Sequence, residues 1–558
     1  MSRILVIGGY GGFGARLSRR LAAAGHQVSV GGRNPAKAEA FAATLDGAEP
    51  VVIDREGDVG AVLVEVRPQL VIDAAGPFQD SDYRVPRACI ALGIPYLDLA
   101  DARDFVCGIG ALDGMAQTAG VAVVSGASSV PALSGAVVRQ LADGMDRMSE
   151  VEMALSAASR ASAGASVARA ILSYAGQKQR VWRGGRWQER RGCHELRRER
   201  YEVARAKPLR RLVLLCDVPD LDLIPAMLAG RPSVTFRAGS ESGLQMIGLW
   251  LLSWLVRWGW IGSLSPWLRW LQPLQRLTAT WSGDRSAMSI TLRGWKGGRP
   301  LTRRWSIIAE KGDGADIPTL AAALLAEDLL AGRVAPGARD ASGLLDLARF
   351  EPLFAGLAVR HDMVEIAEAG PLYRRIMGPR FDALPEQVRA MHEVHGDAGA
   401  AGTGHVARGR PWAARLIGRV MGFPAAGSYP VHVDFAERGG RERWTRHFGP
   451  YRFSSELRAW SDLAAERFGP LRFGFDLPSD SDGLRMELRR WSAFGVPLPL
   501  FLAPRIVARE WQEDESFRFD VAVAMPLVGE VVHYSGRLRP VRGALDEETQ
   551  LNPIRTAA

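Results

Sequence analysis

The residues best suited to chemistry lie near the start of the chain. Ile4-Leu-Val-Ile-Gly-Gly-Tyr-Gly-Gly-Phe-Gly14 sets an apolar run directly before glycines at 9, 11 and 14. That spacing is the strand–turn–helix signature of a dinucleotide site. Gly9 permits the tight turn, Gly11 lets the backbone approach a pyrophosphate, and Gly14 lets the helix close on the strand. The free amides and positive end of the helix would face the phosphates, with Tyr10, Gly12 and Phe13 completing the loop. The ends of later apolar runs add candidates. Val28-Ser-Val-Gly-Gly-Arg-Asn34 has no acidic residue where an NAD site holds the ribose 2′-hydroxyl. Arg33, with Asn34 beside it, would meet a 2′-phosphate, which favours NADP over NAD. Asp54 is a candidate for the adenine pocket. Ala75, Gly76 and Pro77 follow the fourth run, at the edge where such sheets bind ligands.

Hydride transfer also needs a placed substrate and usually an acid or base within hydrogen-bond reach. Asp98 and Asp101, and Ser128 and Ser129, follow strand-like runs and are the catalytic candidates, although such residues also cap helices and build turns. A competing arrangement is Tyr174-Ala-Gly-Gln-Lys178. Its spacing would put both side chains on one helix face, as in short-chain dehydrogenases, where the tyrosine protonates a carbonyl. Gly8, Gly12 and Gly14 fit that glycine spacing too, but residues 131–180 lack the strand–helix order of that fold. His392 and His395 have no third ligand in view and read as a helix-surface pair, so no metal is expected.

These residues need elements to hold them. At 558 residues the chain is long enough for three to four domains, and 47% hydrophobic with 23% charged residues is ordinary for a globular protein. Residues 1–130 alternate apolar runs with helical patterns, which predicts a Rossmann-type α/β fold with a doubly wound parallel sheet. Residues 131–360 read as an inserted mixed α+β substrate and dimerisation domain, with hairpins at Val181–Trp187 and Ile290–Ile308 and a helix from Pro318 to Leu330. A homodimer is expected on that basis. Residues 361–558 read as a C-terminal antiparallel β-rich α+β domain: helical over 361–395, flexible over Gly396–Gly404, then alternating apolar and polar from Val431 onward. Within it, Gly495–Leu502 is unusually apolar for a proline-rich loop, and two readings stand: ordinary core packing beneath a loop, and a segment that lines or covers a hydrophobic cavity.

The four cysteines form no CxxC pair, and an apolar run follows Met1 at once, leaving no room for a signal peptide. A cytoplasmic, reducing setting is expected. The net charge of +9 sits in one stretch: Lys178–Arg211 holds 11 Arg and 2 Lys against 4 Glu. That argues against a nucleic-acid partner for the chain as a whole. It leaves two readings, a local face for a phosphate or an anionic surface, and a solvated hairpin. Leu244–Leu264 is a largely apolar stretch with Arg257 as its only charge, and Trp250, Trp254 and Trp258 fall at helical spacing. Three readings stay open: a buried helix, a membrane-interface helix through 244–275 at the inner face of the membrane, and a spanning helix.

Several of these segments together resemble the NADP-binding domain of saccharopine-dehydrogenase-like oxidoreductases. They are the fingerprint, Ala74–Phe78, Gly93–Leu99, Val123–Pro131, Leu214–Pro219, Phe236–Gly239 and the helix from Ile317 to Leu330. The resemblance spans about 1–358 and implies a Rossmann domain, an NADP cofactor and a helix returning to the Rossmann unit. Residues 365–555 resemble an uncharacterised domain often fused behind it, marked by Leu372–Met377, Leu384-Pro385, His392, Trp444–Gly449 and Gly495–Pro499. Saccharopine reductases carry an acidic Asp-Pro-Gly-type segment where this chain has Ser128-Ser129-Val130-Pro131. The fold and cofactor therefore transfer, but saccharopine as substrate does not. The expectation is an NADP-dependent oxidoreductase acting on a small-molecule or lipid-like substrate. The alternatives are a non-catalytic NADP-binding scaffold or sensor and a short-chain-type reductase using Tyr174 and Lys178.

Overall fold

The computed structural model describes residues 2–79, 81–158, 164–268 and 283–541. Six short apolar strands come first: β1 (Arg3–Ile7), β2 (Gln27–Gly32), β3 (Glu49–Val52), β4 (Leu70–Asp73), β5 (Tyr96–Asp98) and β6 (Ala122–Ser125). They pair in parallel in the order 3-2-1-4-5-6, and Gly337–Asp340 returns to add a seventh strand beside β6. The inner strands, covered on both faces, are apolar rather than alternating, whereas the edge strand β3 is largely exposed. Ile4, Leu5 and Val6 are all buried. Helix α1 (Gly12–Ala23) lies beside the helix Ile317–Leu330, and Arg16 pairs with Asp316 across them. The Rossmann sheet and the returning helix are thus both present.

A second seven-stranded sheet follows, with Arg147–Ala157 near its centre, parallel to Ser233–Ser240 and antiparallel to Ser286–Lys296. Both expected hairpins form, Lys178–Arg183 with Arg186–Arg191 and Ser286–Lys296 with Arg299–Ala309. The first part of the helical reading of 361–395 is corrected. Val359–Ala367 is an edge strand of this sheet, held by main-chain pairing to Arg299–Ala309 and by Arg303–Glu365 at 2.9 Å. Helices begin only at Leu372. One apolar core runs through both N-terminal units, from Val6 and Val124 to Val151, Leu320 and Phe350.

The C-terminal unit has its own core. Its antiparallel strands curl until Leu471–Asp476 pairs with Gly483–Ala493 and Asp397–Arg408 pairs with Gly529–Pro540. The sheet therefore closes into a β-barrel, with Val496–Leu498 as a short appended strand. The flexible reading of Gly396–Gly404 is corrected here. The segment lies in the barrel strand Asp397–Arg408, and its glycines serve close approach: a Cβ on Gly399 would sit 1.8 Å from the Gly184 carbonyl oxygen. The surface reading of the histidine pair is corrected too. His392 is buried, stacked 3.7 Å from Tyr373 and 2.6 Å from Glu510, while His395 meets the Leu301 carbonyl. No metal-holding cluster occurs among the described residues.

The basic stretch is largely absorbed by acids brought from elsewhere in the chain. Arg186 pairs with Asp434 at 3.0 Å, Arg197 with Glu152 at 2.6 Å and Arg211 with Glu241 at 3.1 Å. The apolar segment forms a helix of 15 residues, Gly243–Arg257. No described helix is long and apolar enough to cross a membrane, so the spanning reading is corrected. A wholly buried helix is not found either. Met246, Ser253 and Val256 face inward and the Trp254 ring packs at a tilt against His194, while Leu244, Leu251 and Trp258 are exposed. Residues 269–275 of that segment lie outside the described residues.

Candidate functional site

The predicted site residues all fall at the carboxyl edge of the parallel sheet, Asp98 as the last residue of β5 and the others beyond the strand ends. That is where a doubly wound sheet leaves a crevice, between β1 and β4, as the connections turn to opposite faces. The loop Gly8–Gly14 follows β1. Gly8, rather than Gly9, takes the positive φ of 75°. A Cβ on Gly14 would sit 2.1 Å from the Gly8 carbonyl oxygen, so only glycine lets α1 start this close to the strand. Gly11 caps α1 without a side-chain hydrogen bond, and the first turn carries no acidic residue. Gly12 is exposed, with nothing near the place a Cβ would occupy. Phe13 packs on the core. Open amides with no competing carboxylate suit a pyrophosphate.

Tyr10 joins this loop to the end of β2. Its ring lies against Gly32, and its hydroxyl accepts from the Asn34 N–H at 3.0 Å. Asn34 in turn caps the helix Pro35–Ala42, its side chain accepting from Lys37 N–H. Arg33 is exposed between them, and no acidic residue stands beside it at the strand end. Asp54, after β3, is exposed and accepts from the Glu56 N–H at 3.1 Å. Its neighbour Arg55, which sequence reasoning missed, holds the β4 loop. Arg55 donates to the Ala75 carbonyl at 2.9 Å, pairs with buried Asp73 at 3.2 Å and lies over the Phe78 ring. Burial holds the Asp73 carboxyl above its ordinary range, while Arg55 opposes the shift. Ala74 and Ala75 pass directly against Gly8, and the Gly76–Pro77 bond that follows them is cis. The two loops therefore form one continuous wall.

The four catalytic candidates separate into different roles. Asp98 is fully buried and accepts three hydrogen bonds, from Ala100 N–H at 3.0 Å, Ser125 Oγ at 3.0 Å and Gly126 N–H at 2.8 Å. It fixes the β5 and β6 loops, and burial raises its pKa to about 6. Asp101 is exposed after β5, yet enough protein surrounds it to raise its pKa against a hydrogen bond from Gln79. Ser128 is half-buried at the turn after β6. Ser129 is buried beside the cis Val130–Pro131 bond, at the start of the turn leading into the helix Ser134–Ala142.

The middle unit forms the facing wall. Tyr174 ends the helix Gly164–Tyr174, and its hydroxyl lies 2.9 Å from Cys216 Sγ. Burial, with Cys216 and Asp101 nearby, keeps the phenol well above its ordinary pKa; the thiol is pushed up to about 12. Both therefore stay protonated. Lys178 does not share a helix face with Tyr174. It opens a strand and pairs with Glu189 at 3.0 Å, so the Tyr–Lys pair of a short-chain reductase is not formed. Arg103 clamps the two walls together, bonding Asp222 at 2.6 and 2.8 Å and Asp217 at 2.9 Å. Sequence reasoning missed it, because its partners lie more than a hundred residues away.

Comparison with known proteins gives two matches, one near each end of the chain. Residues 4–124 match the saccharopine dehydrogenase NADP binding domain, and residues 384–538 match a domain of unknown function, DUF4166. No curated protein is similar to the chain. Among solved structures, the L-Glu-forming saccharopine dehydrogenase of Saccharomyces cerevisiae is similar at 12% identity and a TM-score of 0.45, over 65% of this chain and 100% of that one. An amine dehydrogenase of Mycobacterium smegmatis is similar at 11% identity and 0.36, over 61% and 95%. The chain carries a saccharopine-dehydrogenase-type NADP-binding domain, hence a site for a nicotinamide cofactor, and ends in a DUF4166 barrel.

Proposed function

We propose that the protein is an NADP-dependent oxidoreductase whose substrate binds between the carboxyl edge of the Rossmann sheet and the middle unit. The observation that carries this reading is the glycine loop at the uncapped start of α1, walled by Ala75–Pro77, with Arg33 exposed at the end of β2. When bound, the nicotinamide supplies the hydride donor or acceptor. Glycine loop amides hold the pyrophosphate, Arg33 and Lys37 meet the 2′-phosphate, and Arg55 keeps the β4 loop in place. Asp101 is the carboxylate facing the cleft. With its raised pKa it holds a proton to higher pH than an ordinary carboxylate and is suited to pass one to substrate. Tyr174, kept neutral, is the second donor on the opposite wall. Its ring backs onto an apolar cluster that includes Met246 and Val256, which favours an apolar substrate.

The test has two stages. Titration with NADPH and NADH by quenching of protein fluorescence measures binding, and loss of NADPH absorbance is then followed across apolar ketones, aldehydes and imines. Absence of NADPH binding refutes the reading. Binding without turnover, unaffected by Asp101→Asn, supports the scaffold alternative.

A further inference from the structure

The C-terminal barrel is corked at one end and open at the other. Its strands alternate in direction, so their connections gather at two ends. Helices Leu372–Met377 and Glu386–His392 cork one end. There the Leu372 N–H donates to Glu442, the Gln387 N–H donates to Gln512, and Tyr373, Phe381 and Val388 are buried. This end also meets the middle unit, through Arg438 with Glu150 and Asp434 with Arg186. Beyond the cork lies a cavity of about 160 Å3, lined almost wholly by apolar side chains from Met391 up to Met421, Phe468 and Met525. The charged groups in its wall are already paired. Arg446 donates to Ser455 Oγ at 2.9 Å and faces Glu466 at 3.5 Å, and Glu510 is held by His392. The interior therefore offers apolar surface without a free charge, an environment that takes hydrocarbon rather than a charged head.

The open end is unlike ordinary protein surface. The helix Trp412–Val420 lies across it as a lid, with Ile417 turned to the cavity. On its outer side Trp412 is 75%, Leu416 53% and Val420 77% exposed, and neighbouring connections expose Phe494, Phe501 and Leu527. Large apolar side chains gathered in this way mark a binding surface. The segments that form this end, 408–426, 448–452, 467–472, 490–506 and 525–530, hold nine arginines and a single acidic residue, Glu530. The corresponding segments of the opposite end, 438–441, 460–463, 476–483 and 513–516, hold two arginines against seven acidic residues, Asp462, Asp476, Asp480, Asp482, Glu513, Asp514 and Glu515. Positive charge is thus concentrated where the apolar residues are exposed. That pairing of an apolar rim with basic side chains fits the surface of an anionic bilayer.

We propose that the barrel is a binding site for an anionic lipid, loaded from an anionic membrane surface on which the lid helix and the Phe494–Leu502 loop dock. The acyl chain enters the cavity, and the charged head stays at the arginine rim because no free cation waits inside. This inference does not depend on the nucleotide site. The test uses the full chain in two arms: flotation with phosphatidylglycerol or phosphatidylcholine vesicles, and titration with free cis-parinaric acid in the absence of vesicles. Flotation is expected with phosphatidylglycerol alone, weakening as salt is added. Arg415→Gln with Arg419→Gln lowers partition about fivefold per arginine. Leu416→Glu with Val420→Glu, both on the exposed face, stops flotation but leaves uptake of the free probe. Val523→Trp, which fills the cavity, removes the saturable fluorescence gain while flotation persists, its melting temperature confirming the fold. Equal flotation with both lipids overturns the membrane arm. Absence of saturable uptake by the unmodified protein overturns the cavity arm, and neither result requires any variant to fold.

Discussion

Replacing Arg33 by alanine tests the cofactor assignment most directly. In the free protein Arg33 is exposed at the end of β2, four residues before the exposed Lys37, with no carboxylate at that strand end to repel a phosphate. A charge-assisted hydrogen bond contributes about 1.5–3 kcal/mol. Arg33 is well hydrated before binding, so the lower half of that range applies, and at 1.4 kcal/mol per factor of ten the loss in NADPH affinity is roughly 10- to 40-fold. NADH, which lacks the 2′-phosphate, should lose less than about threefold. The ratio of the two dissociation constants, measured by fluorescence titration at fixed ionic strength, isolates the effect from any general loosening of the loop. Lys37→Ala added to Arg33→Ala should remove the residual preference. Equal affinity for both cofactors in the unmodified protein, or an unchanged ratio in Arg33→Ala, would refute the assignment.

Gly14→Ala should abolish cofactor binding and lower the melting temperature, because its Cβ would collide with the Gly8 carbonyl, whereas Gly12→Ala should fold normally; differential scanning fluorimetry separates the two. Asp98 gives a pH signature. Its folded pKa of about 6 lies above the unfolded value, so the folded state favours the protonated form. The stability of the wild type relative to Asp98→Asn should therefore fall as pH rises from about 4 to 6, by up to about 3 kcal/mol, in paired urea titrations. A flat difference would show that Asp98 is not buried as described. Lys178→Ala should leave NADPH turnover within twofold of wild type in steady-state assays, since Lys178 pairs with Glu189 and lies outside the cleft. Residues 368–541 expressed alone should give a β-type circular dichroism spectrum and a cooperative melt, because their core is separate; a helical or unfolded spectrum counts against this.

Much of the nucleotide site was legible because its determinants are local. A glycine whose Cβ would strike its own loop, and a strand end that lacks an acidic residue, are visible within a dozen residues. The roles of Asp98 and Tyr174 were not legible in that way. Asp98 was singled out for following a strand, but what decides its role is a set of donors that reach back from the end of β6. Tyr174 and Lys178 have helical spacing, yet Gly176 intervenes with a φ of 74°, and a Cβ there would sit 2.4 Å from the Ser253 carbonyl oxygen. The helix therefore stops at Tyr174. Glycine inside the motif was the readable warning. In the C-terminal unit the alternation from Val431 announced strands but not closure. Closure rests on the pairing of Leu471–Asp476 with Gly483–Ala493, which includes a register shift between Gly474 and Phe475. Alternation says which face is apolar, and a barrel and an open sheet share it.

The three units are coupled in different ways, and this bears on where motion can occur. The Rossmann and middle units share one apolar core and are clamped at the cleft by Arg103, so the walls that carry Asp101 and Tyr174 are held in register. A site that must place a substrate against a cofactor gains from such rigidity. The barrel meets the middle unit instead through hydrogen bonds and ion pairs. Among them Arg438 with Glu150 and Ser149 with the His395 carbonyl at 2.5 Å lie toward the corked end, and His432 with the Gly184 carbonyl at 2.9 Å lies midway along its strand. Polar contacts of this kind depend on geometry and lose their strength within a short displacement, whereas a shared core yields only when the fold does. The mouth of the barrel is at the far end from these contacts. Docking of the lid on a membrane, as proposed, would thus take place away from the nucleotide cleft, so that variants at the lid and variants at the cleft test the two sites one at a time.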